Sequence, residues 1–384
     1  MLADVAADLS VCIIVKNDAD RVRRAIDSVR ALNARVLVTD TGSTDATPEA
    51  ARNAGAEVDT IEWRQDFSAA YNHVVRRAET EWVLSLDSDE WLPPESLPKI
   101  IAAIKQHDAM GYNLVRHDLR NVNDPDDFSQ MWQLRLFRKR DATRYVGRIH
   151  HQFRPSLESV AEAEGRRVLD SDIVMLHDGY LNRDWGAKLN RDIELMDLEL
   201  AERPGQFYFQ VELGIAASRL NDPRAGEHLT AAARTAIDDA QRPTLPRGAF
   251  ERLLEWTLAT PEVPEHFPIT RELAERWARS ALHDAPPLAW QLSRLAFARG
   301  DYAEAARLLE HLLELGRTGA YDRTSPFDPR ILGDDAKLNL GACYLRLARL
   351  DDAERVFEGL LSSERCRDAA RQNLTQIESL RAGA

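Results

Sequence analysis

An α/β domain with a Rossmann-like, mostly parallel sheet, followed by an all-helical repeat domain, is the architecture this 384-residue sequence predicts. Three observations predict it. Short β-rich apolar runs alternate with helical segments up to about residue 180, the pattern of a parallel sheet covered on both faces. Beyond Tyr180 the β signal vanishes. The later half also contains segments that align with one another at a fixed offset, as stacked helical repeats do. The boundary falls near residue 185, giving domains of 1–185 and 186–384, and a chain this long exceeds what one hydrophobic core normally serves.

The first element is Ser10 to Lys16, SVCIIVK, a continuous apolar run expected of a strand buried on both faces. Ala19 to Leu32 follows as a helix, with Val22, Ala25, Ile26 and Val29 on one face. Arg35 to Thr39 is the second strand and runs into the turn-rich stretch from Asp40 to Asp45. A helix begins at about Thr47, with Pro48 suited to its first turn. Further strands are expected at Glu57 to Trp63, Trp82 to Leu86, Tyr112 to His117, Gln133 to Arg138 and Ile173 to Leu176. In such a sheet, functional groups gather at the carboxyl ends of the strands.

In the second half, Trp290 to Leu315 reads as two apolar-periodic helices hinged at Gly300-Asp301-Tyr302. Lys337 to Leu361 aligns with it and places Ala353 opposite Ala305, an offset of 48 residues. That is a tetratricopeptide period of ~34 plus about 14 more, with the insertion in TGAYDRTSPFDPR. A weaker copy spans Phe207 to Ala233, with Leu213-Gly214 and Ala225 at the small-residue positions. The stretches Arg242 to Gly248 and Thr260 to Pro268 are proline-rich and read as loops. The Leu/Ala stripes are packing between helices, and the concave face of such an array suits a peptide, a protein partner or a second copy in a homodimer.

Composition excludes several functions. Acids outnumber bases 63 to 50, for a formal charge of −13. A surface of that sign repels nucleic acid and anionic lipid. Cys12, Cys343 and Cys366 are scattered without metal-ligand spacing, which fits a reducing, cytoplasmic compartment. MLADVAADLS carries two acids and no base, unlike a signal peptide, and no integral membrane segment is expected. Neither GxGxxG nor GxxxxGK[ST] occurs.

The sharpest chemical feature is Asp87-Ser88-Asp89-Glu90, which ends the apolar run from Trp82. If both acids lay on the strand, positions i and i+2 would face one side and could hold a hard divalent cation, with diphosphate oxygens completing its shell. Similar pairs at Asp18/Asp20, Asp124/Asp126 and Asp170/Asp172 show that spacing alone is weak, and a solvated acidic turn reads the same. Asp40, at the end of the second strand, could accept hydrogen bonds from a base or ribose, while Gly42 permits a tight turn. Asp45 or Thr44 could instead simply cap the next helix.

Four ordered segments together carry a resemblance: Ser10 to Asp18, Asp40 to Asp45, Asp66-Phe67-Ser68-Ala69-Ala70-Tyr71-Asn72, and Trp82 to Glu90. They resemble family 2 glycosyltransferases with the GT-A fold over roughly residues 9–180. With the helical repeats, the chain resembles the bacterial subgroup that includes sublancin-type peptide S-glycosyltransferases. The first half is also similar to lipopolysaccharide-core glucosyltransferases. The resemblance implies an inverting transfer of a hexose from a UDP- or GDP-sugar to a peptide or saccharide acceptor, with Mn²⁺ or Mg²⁺ as cofactor.

By the same resemblance, Lys16, Asn17 and Asp18 would lie beside the base, Asp40 would contact base or ribose, and Asn72 would shape the nucleotide pocket. Asp87 would contact ribose or metal and Asp89 would ligate the metal directly. Tyr145 to His151 resembles a GxxHE pattern with His151 where the family has Glu, so His151 is the candidate general base. His177-Asp178-Gly179-Tyr180 resembles an HxGY pattern, making His177, ahead of His150, the candidate third metal ligand. Arg144 and Arg148 could clamp the diphosphate or be ordinary surface arginines. The alternative from another class is a degenerate, adaptor-like protein that binds a partner through its repeats.

Overall fold

A computed structural model describes residues 8–121, 124–179, 181, 185–238, 240–261, 266–281 and 283–382. The chain forms two compact units, Met1–Gly205 and Gln206–Ala384. The first opens with β1 (Leu9–Val15), α1 (Ala19–Val29), β2 (Arg35–Asp40), α2 (Thr47–Asn53), β3 (Glu57–Thr60), α3 (Phe67–Arg77) and β4 (Trp82–Asp87). It continues with β5 (Glu90–Trp91), α4 (Leu97–Ile104), β6 (Ala109–Asn121), β7 (Asp124–Arg138), β8 (Arg144–Val146), β9 (Gln152–Arg154), α5 (Leu157–Ala163), β10 (Arg167–His177) and α6 (Trp185–Glu202).

Eight strands form one sheet in the order β3-β2-β1-β4-β7-β6-β10-β5, and β8 pairs with β9 apart from it. Pairing is parallel from β3 to β4 and between β6 and β10. It is antiparallel where β7 inserts between β4 and β6 and where β5 closes the edge. The alternation of β1 explains its unbroken apolar sequence. Leu9, Val11, Ile13 and Val15 enter one core with Val22, Ala25, Ile26 and Val29 of α1. Cys12 and Ile14 enter the other, with Ala70, Tyr71 and Val74 of α3 and Leu157 and Ala161 of α5. Full burial of a Leu, Ile or Val contributes about 1.5–3 kcal/mol each, so a polar residue at Ile13 would cost both packing and desolvation.

Some boundaries differ from the sequence expectation. The third strand stops at Thr60 rather than Trp63. The strands expected from Tyr112, Gln133 and Ile173 begin instead at Ala109, Asp124 and Arg167. Register shifts between Tyr112 and Asn113 and between Asp170 and Val174 interrupt the two-residue alternation and hide these extensions. Helix α6, assigned from sequence to the repeat half beginning at 186, lies within the first unit. Fully buried Glu199 on α6 accepts the backbone N–H of Arg148 at 2.9 Å, which anchors the helix there.

The second unit consists of α7 (Phe207–Arg219), α8 (Ala225–Ile237), α9 (Arg247–Ala259), α10 (Arg271–Ala281), α11 (Pro286–Ala298), α12 (Tyr302–Thr318), α13 (Asp334–Arg346), α14 (Leu350–Gly359) and α15 (Arg367–Ala382). The helix pairs expected at 207–233, 290–315 and 337–361 are α7/α8, α11/α12 and α13/α14. Gly300 at φ 80° makes the α11–α12 turn, and Asp301 caps α12 by accepting the Glu304 N–H at 3.1 Å. Small residues allow close helix approach. A β-carbon on Gly214 would meet Leu229 Cγ at 2.5 Å, and one on Gly341 would meet the Phe357 ring at 2.6 Å. The insertion between α12 and α13 is held by Ser325, whose hydroxyl donates to buried Glu251 at 2.7 Å, and by Asp322, 3.2 Å from Arg247.

Candidate active site at the strand ends

Parallel pairing aligns Asp40 with Val15 and Asp87 with Ile14, so the two acids flank the carboxyl end of β1. Asp40 is only 1% exposed. Its Oδ2 accepts the N–H groups of Gly42 at 3.2 Å and Ser43 at 3.0 Å, and its Oδ1 accepts the Ser43 hydroxyl. Gly42 sits at φ 96°, a conformation that favours glycine and permits this tight loop. Asn17, at φ 51°, accepts the Thr44 N–H at 2.8 Å, while its own N–H donates to Ser43 Oγ at 2.8 Å. The ends of β1 and β2 are thereby laced together. Asp45 accepts the Thr47 N–H at 3.0 Å in the turn before α2, whose N-cap position is Ala46. Lys16 is exposed on this rim, and Asp18 accepts the Ser88 hydroxyl at 3.1 Å.

Asp87 and Asp89 diverge, contrary to the one-sided strand geometry expected. Strand β4 ends at Asp87, and Asp89 lies in the tight turn before β5, so two-residue alternation does not govern it. Asp87 Oδ1 accepts the Tyr71 hydroxyl, and Oδ2 lies 2.9 Å from Arg135 Nη2. Burial works to raise the Asp87 carboxyl, but the Arg135 charge and hydrogen bond, helped by His151, together hold the group below its ordinary range. Glu90 is fully buried. It accepts the Asp87 N–H at 2.8 Å and the Arg135 guanidinium at 2.6 Å. Burial pushes Glu90 up to about 7 against the pull of Arg135, with Asp87 adding to the rise.

Asp89 instead faces β10. His177 Nε2 lies 3.6 Å from Asp89 Oδ2, and His177 Nδ1 lies 2.6 Å from Asp118 Oδ1. Arg116 closes on Asp118 at 2.8 Å and reaches Gln133 Oε1 at 3.1 Å. Burial alone would depress His177, but Asp118 and Asp89 outweigh it and raise the imidazole to about 9. Gly179 leaves the space beside this pair open. A β-carbon there would stand 2.5 Å from Asp89 Oδ2 and closer still to His177 Nε2. Tyr180, the last residue of the HxGY pattern, lies outside the described residues.

His151 is brought to the same region, its ring centroid 4.6 Å from Tyr71 and 4.7 Å from Tyr145. Burial, reinforced by the Arg135 charge, lowers it to about 4, so the ring is neutral at neutral pH. His150 is exposed at φ 49°, and His177 lies against Asp89. The Asn72 amide pairs with both backbone groups of Tyr145 at 2.8 Å, so it positions the β8 segment. The Arg148 guanidinium donates to Gln65 O at 3.0 Å and pairs with Glu202, which commits it to holding α6 and not to a diphosphate clamp. Arg144 is exposed on β8.

Sequence reasoning missed Arg116 and Asp118 entirely. The signal available was an oppositely charged pair at alternate positions of one strand, facing one side. Among the described residues, no group of three or more Cys, His, Asp or Glu side chains stands together as a metal site. The donors nevertheless suit a divalent cation at one place. Asp89 offers a carboxylate oxygen, His177 offers Nε2 with its other nitrogen held by Asp118, and Gly179 keeps the gap open. Asp87, bonded to Tyr71 and Arg135, suits it less.

Residues 10–155, within the first unit, match the model of the family described as Glycosyl transferase family 2. The chain is 29% identical over 233 residues to a TPR repeat-containing protein of Synechococcus elongatus, covering 59% of this chain and 56% of that one. It is 25% identical over 142 residues to the prophage-derived glycosyltransferase SunS of Bacillus subtilis, covering 36% of this chain and 33% of SunS. The chain spans about half the length of the curated relatives it matches first. Among solved structures it is similar to the mannosyltransferase PcManGT of Pyrobaculum calidifontis, solved in complex with GDP-Man and Mn²⁺. That match has 17% identity and a TM-score of 0.36, covering 67% of this chain and 91% of that one. Among the described residues, no helix is long and apolar enough to cross a membrane.

Proposed function

We propose that this chain is a nucleotide-sugar-dependent, inverting glycosyltransferase that moves a hexose from a UDP- or GDP-sugar to a peptide or saccharide acceptor. The observation that carries the reading is the convergence of Asp89 and His177 at the strand ends of the unit that matches the family 2 model. Asp89 and His177 would hold Mn²⁺ or Mg²⁺, which when bound supplies charge neutralisation to a departing diphosphate. The laced loop of Asn17, Asp40 and Ser43 would form the rigid floor beneath the nucleoside, with ribose contact at Asp40 requiring exchange of one of its internal bonds. His151 is unprotonated at neutral pH, the state in which it could accept a proton from an acceptor hydroxyl or thiol, although a pKa near 4 makes it a weak base. The helical unit would hold a peptide acceptor or a protein partner.

The test is hydrolysis or transfer assayed with UDP- and GDP-hexoses plus Mn²⁺. Asp89→Ala should abolish metal-dependent donor turnover, and unchanged turnover would overturn the assignment. One observation favours the adaptor reading: the oxygens of both Asp40 and Asp87 already have partners within the protein. Absence of both donor hydrolysis and metal-dependent nucleotide binding would select it.

A further inference from the structure

We propose that Asp118, backed by Arg116, is a positioning residue that holds His177 with its Nε2 toward Asp89 and so builds a divalent-cation notch. The inference rests on the function proposed above. Parallel pairing of β10 with β6 sets His177 directly beside Asp118, so backbone register delivers a contact between residues 59 positions apart. Asp118 is buried, and both its oxygens are used: Oδ1 meets His177 Nδ1 at 2.6 Å and Arg116 Nε at 2.8 Å, while Oδ2 accepts Arg116 Nη2 at 3.1 Å. Arg116 is held in turn by Gln133 Oε1 at 3.1 Å. The chain of contacts therefore runs from β7 through β6 to β10 and ends at the imidazole.

A carboxylate on one imidazole nitrogen places the proton there and leaves the other nitrogen's lone pair for a metal. Here that other nitrogen points to Asp89, into the space Gly179 leaves by lacking a β-carbon. The bound carboxylate both orients the ring and increases its basicity as a ligand.

The test titrates Mn²⁺ into the full chain, alone and then with UDP or GDP, and reads free Mn²⁺ by electron paramagnetic resonance. Asp118→Asn keeps the shape and should weaken Mn²⁺ binding about 10- to 100-fold. In a His177→Ala background the same substitution should change nothing further, because Asp118 acts through that ring. Wild-type affinity in Asp118→Asn, or an equal loss with and without His177, overturns the proposal. Should Asp118→Asn fail to fold, nitrogen NMR of the wild-type ring, recorded above the raised pKa of about 9 where it is neutral, decides: a proton on Nδ1 supports the proposal and one on Nε2 overturns it. Donor turnover by the wild type with normal Mn²⁺ uptake in Asp118→Asn would sink this inference alone. A wild type inert to both donor and Mn²⁺ would sink the proposed function and this inference with it.

Discussion

Arg135 Nη2 lies 2.6 Å from Oε1 of fully buried Glu90 and also reaches Asp87 at 2.9 Å, so one cation is shared by two neighbouring acids. Removing it would leave fully buried Glu90 without its nearest cation and beside the charge of half-buried Asp87. Arg135→Ala should therefore destabilise the first unit by about 3–5 kcal/mol, as losing one partner of a buried pair does. In a unit of this size that lowers the thermal midpoint by roughly 6–20 °C. A midpoint within 2–3 °C of wild type, roughly 1 kcal/mol, would show that the acids do not depend on Arg135.

Gly179→Ala should close the space beside Asp89 and His177. Its β-carbon would stand 2.5 Å from Asp89 Oδ2 and closer still to His177 Nε2. Mn²⁺-dependent donor turnover should fall on the order of 100-fold, and overpacking against buried His177 should cost about 1–3 kcal/mol, lowering the thermal midpoint without metal by roughly 2–12 °C. Undiminished turnover at limiting Mn²⁺ would show that the notch is not the working metal site.

Acid should weaken the first unit through His117. Its ring stacks on Phe128 at 3.9 Å, and burial lowers its pKa from 6.5 to about 4. The unfolded chain takes up the proton first as pH falls, so stability present above about 6.5 is lost progressively toward 4. The slope is at most about 1.4 kcal/mol per pH unit from this group. His117→Phe keeps a ring on Phe128 and removes the titration, so its midpoint should decline less steeply over that window. Parallel curves for the two proteins would remove His117 as a cause.

In the helical unit, Gly341→Ala sets intrinsic helix propensity against packing. Alanine favours the helix by about 1 kcal/mol, but its β-carbon would fall 2.6 Å from the fully buried Phe357 ring. Overpacking of that kind costs about 1–3 kcal/mol, so net destabilisation of about 1 kcal/mol is expected in urea unfolding. A more stable variant would show that α13 and α14 can move apart without cost.

Much of the frame was legible because its signals are local. The β1 run, the α1 face of Val22, Ala25, Ile26 and Val29, and the Gly300 hinge each depend on residues within one or two turns. The two- and three-residue strands β5, β8 and β9 are too short to show periodicity. Strands β6, β7 and β10 were underestimated because bulges and buried polar residues such as Arg135 and Gln130 break the apolar pattern. In the site, Asp40, Asp87, Asp89 and His177 were singled out by their places at strand ends or in the adjoining turn. The commitments of Asn72 and Arg148 stayed hidden because their partners, Tyr145 and Glu202, lie 73 and 54 residues away.

By itself, the sequence determined a two-part chain, an α/β domain and an array of helix pairs, because hydrophobic periodicity and turn chemistry are written in neighbouring residues. Only the tertiary structure decided which acids share a partner. Strand order brings Asp118 of β6 to His177 of β10, and the turn after β4 sends Asp89 toward that histidine while Asp87 stays with Arg135. Those choices follow from sheet register and burial, where a charge keeps its place only beside a partner supplied from elsewhere in the chain.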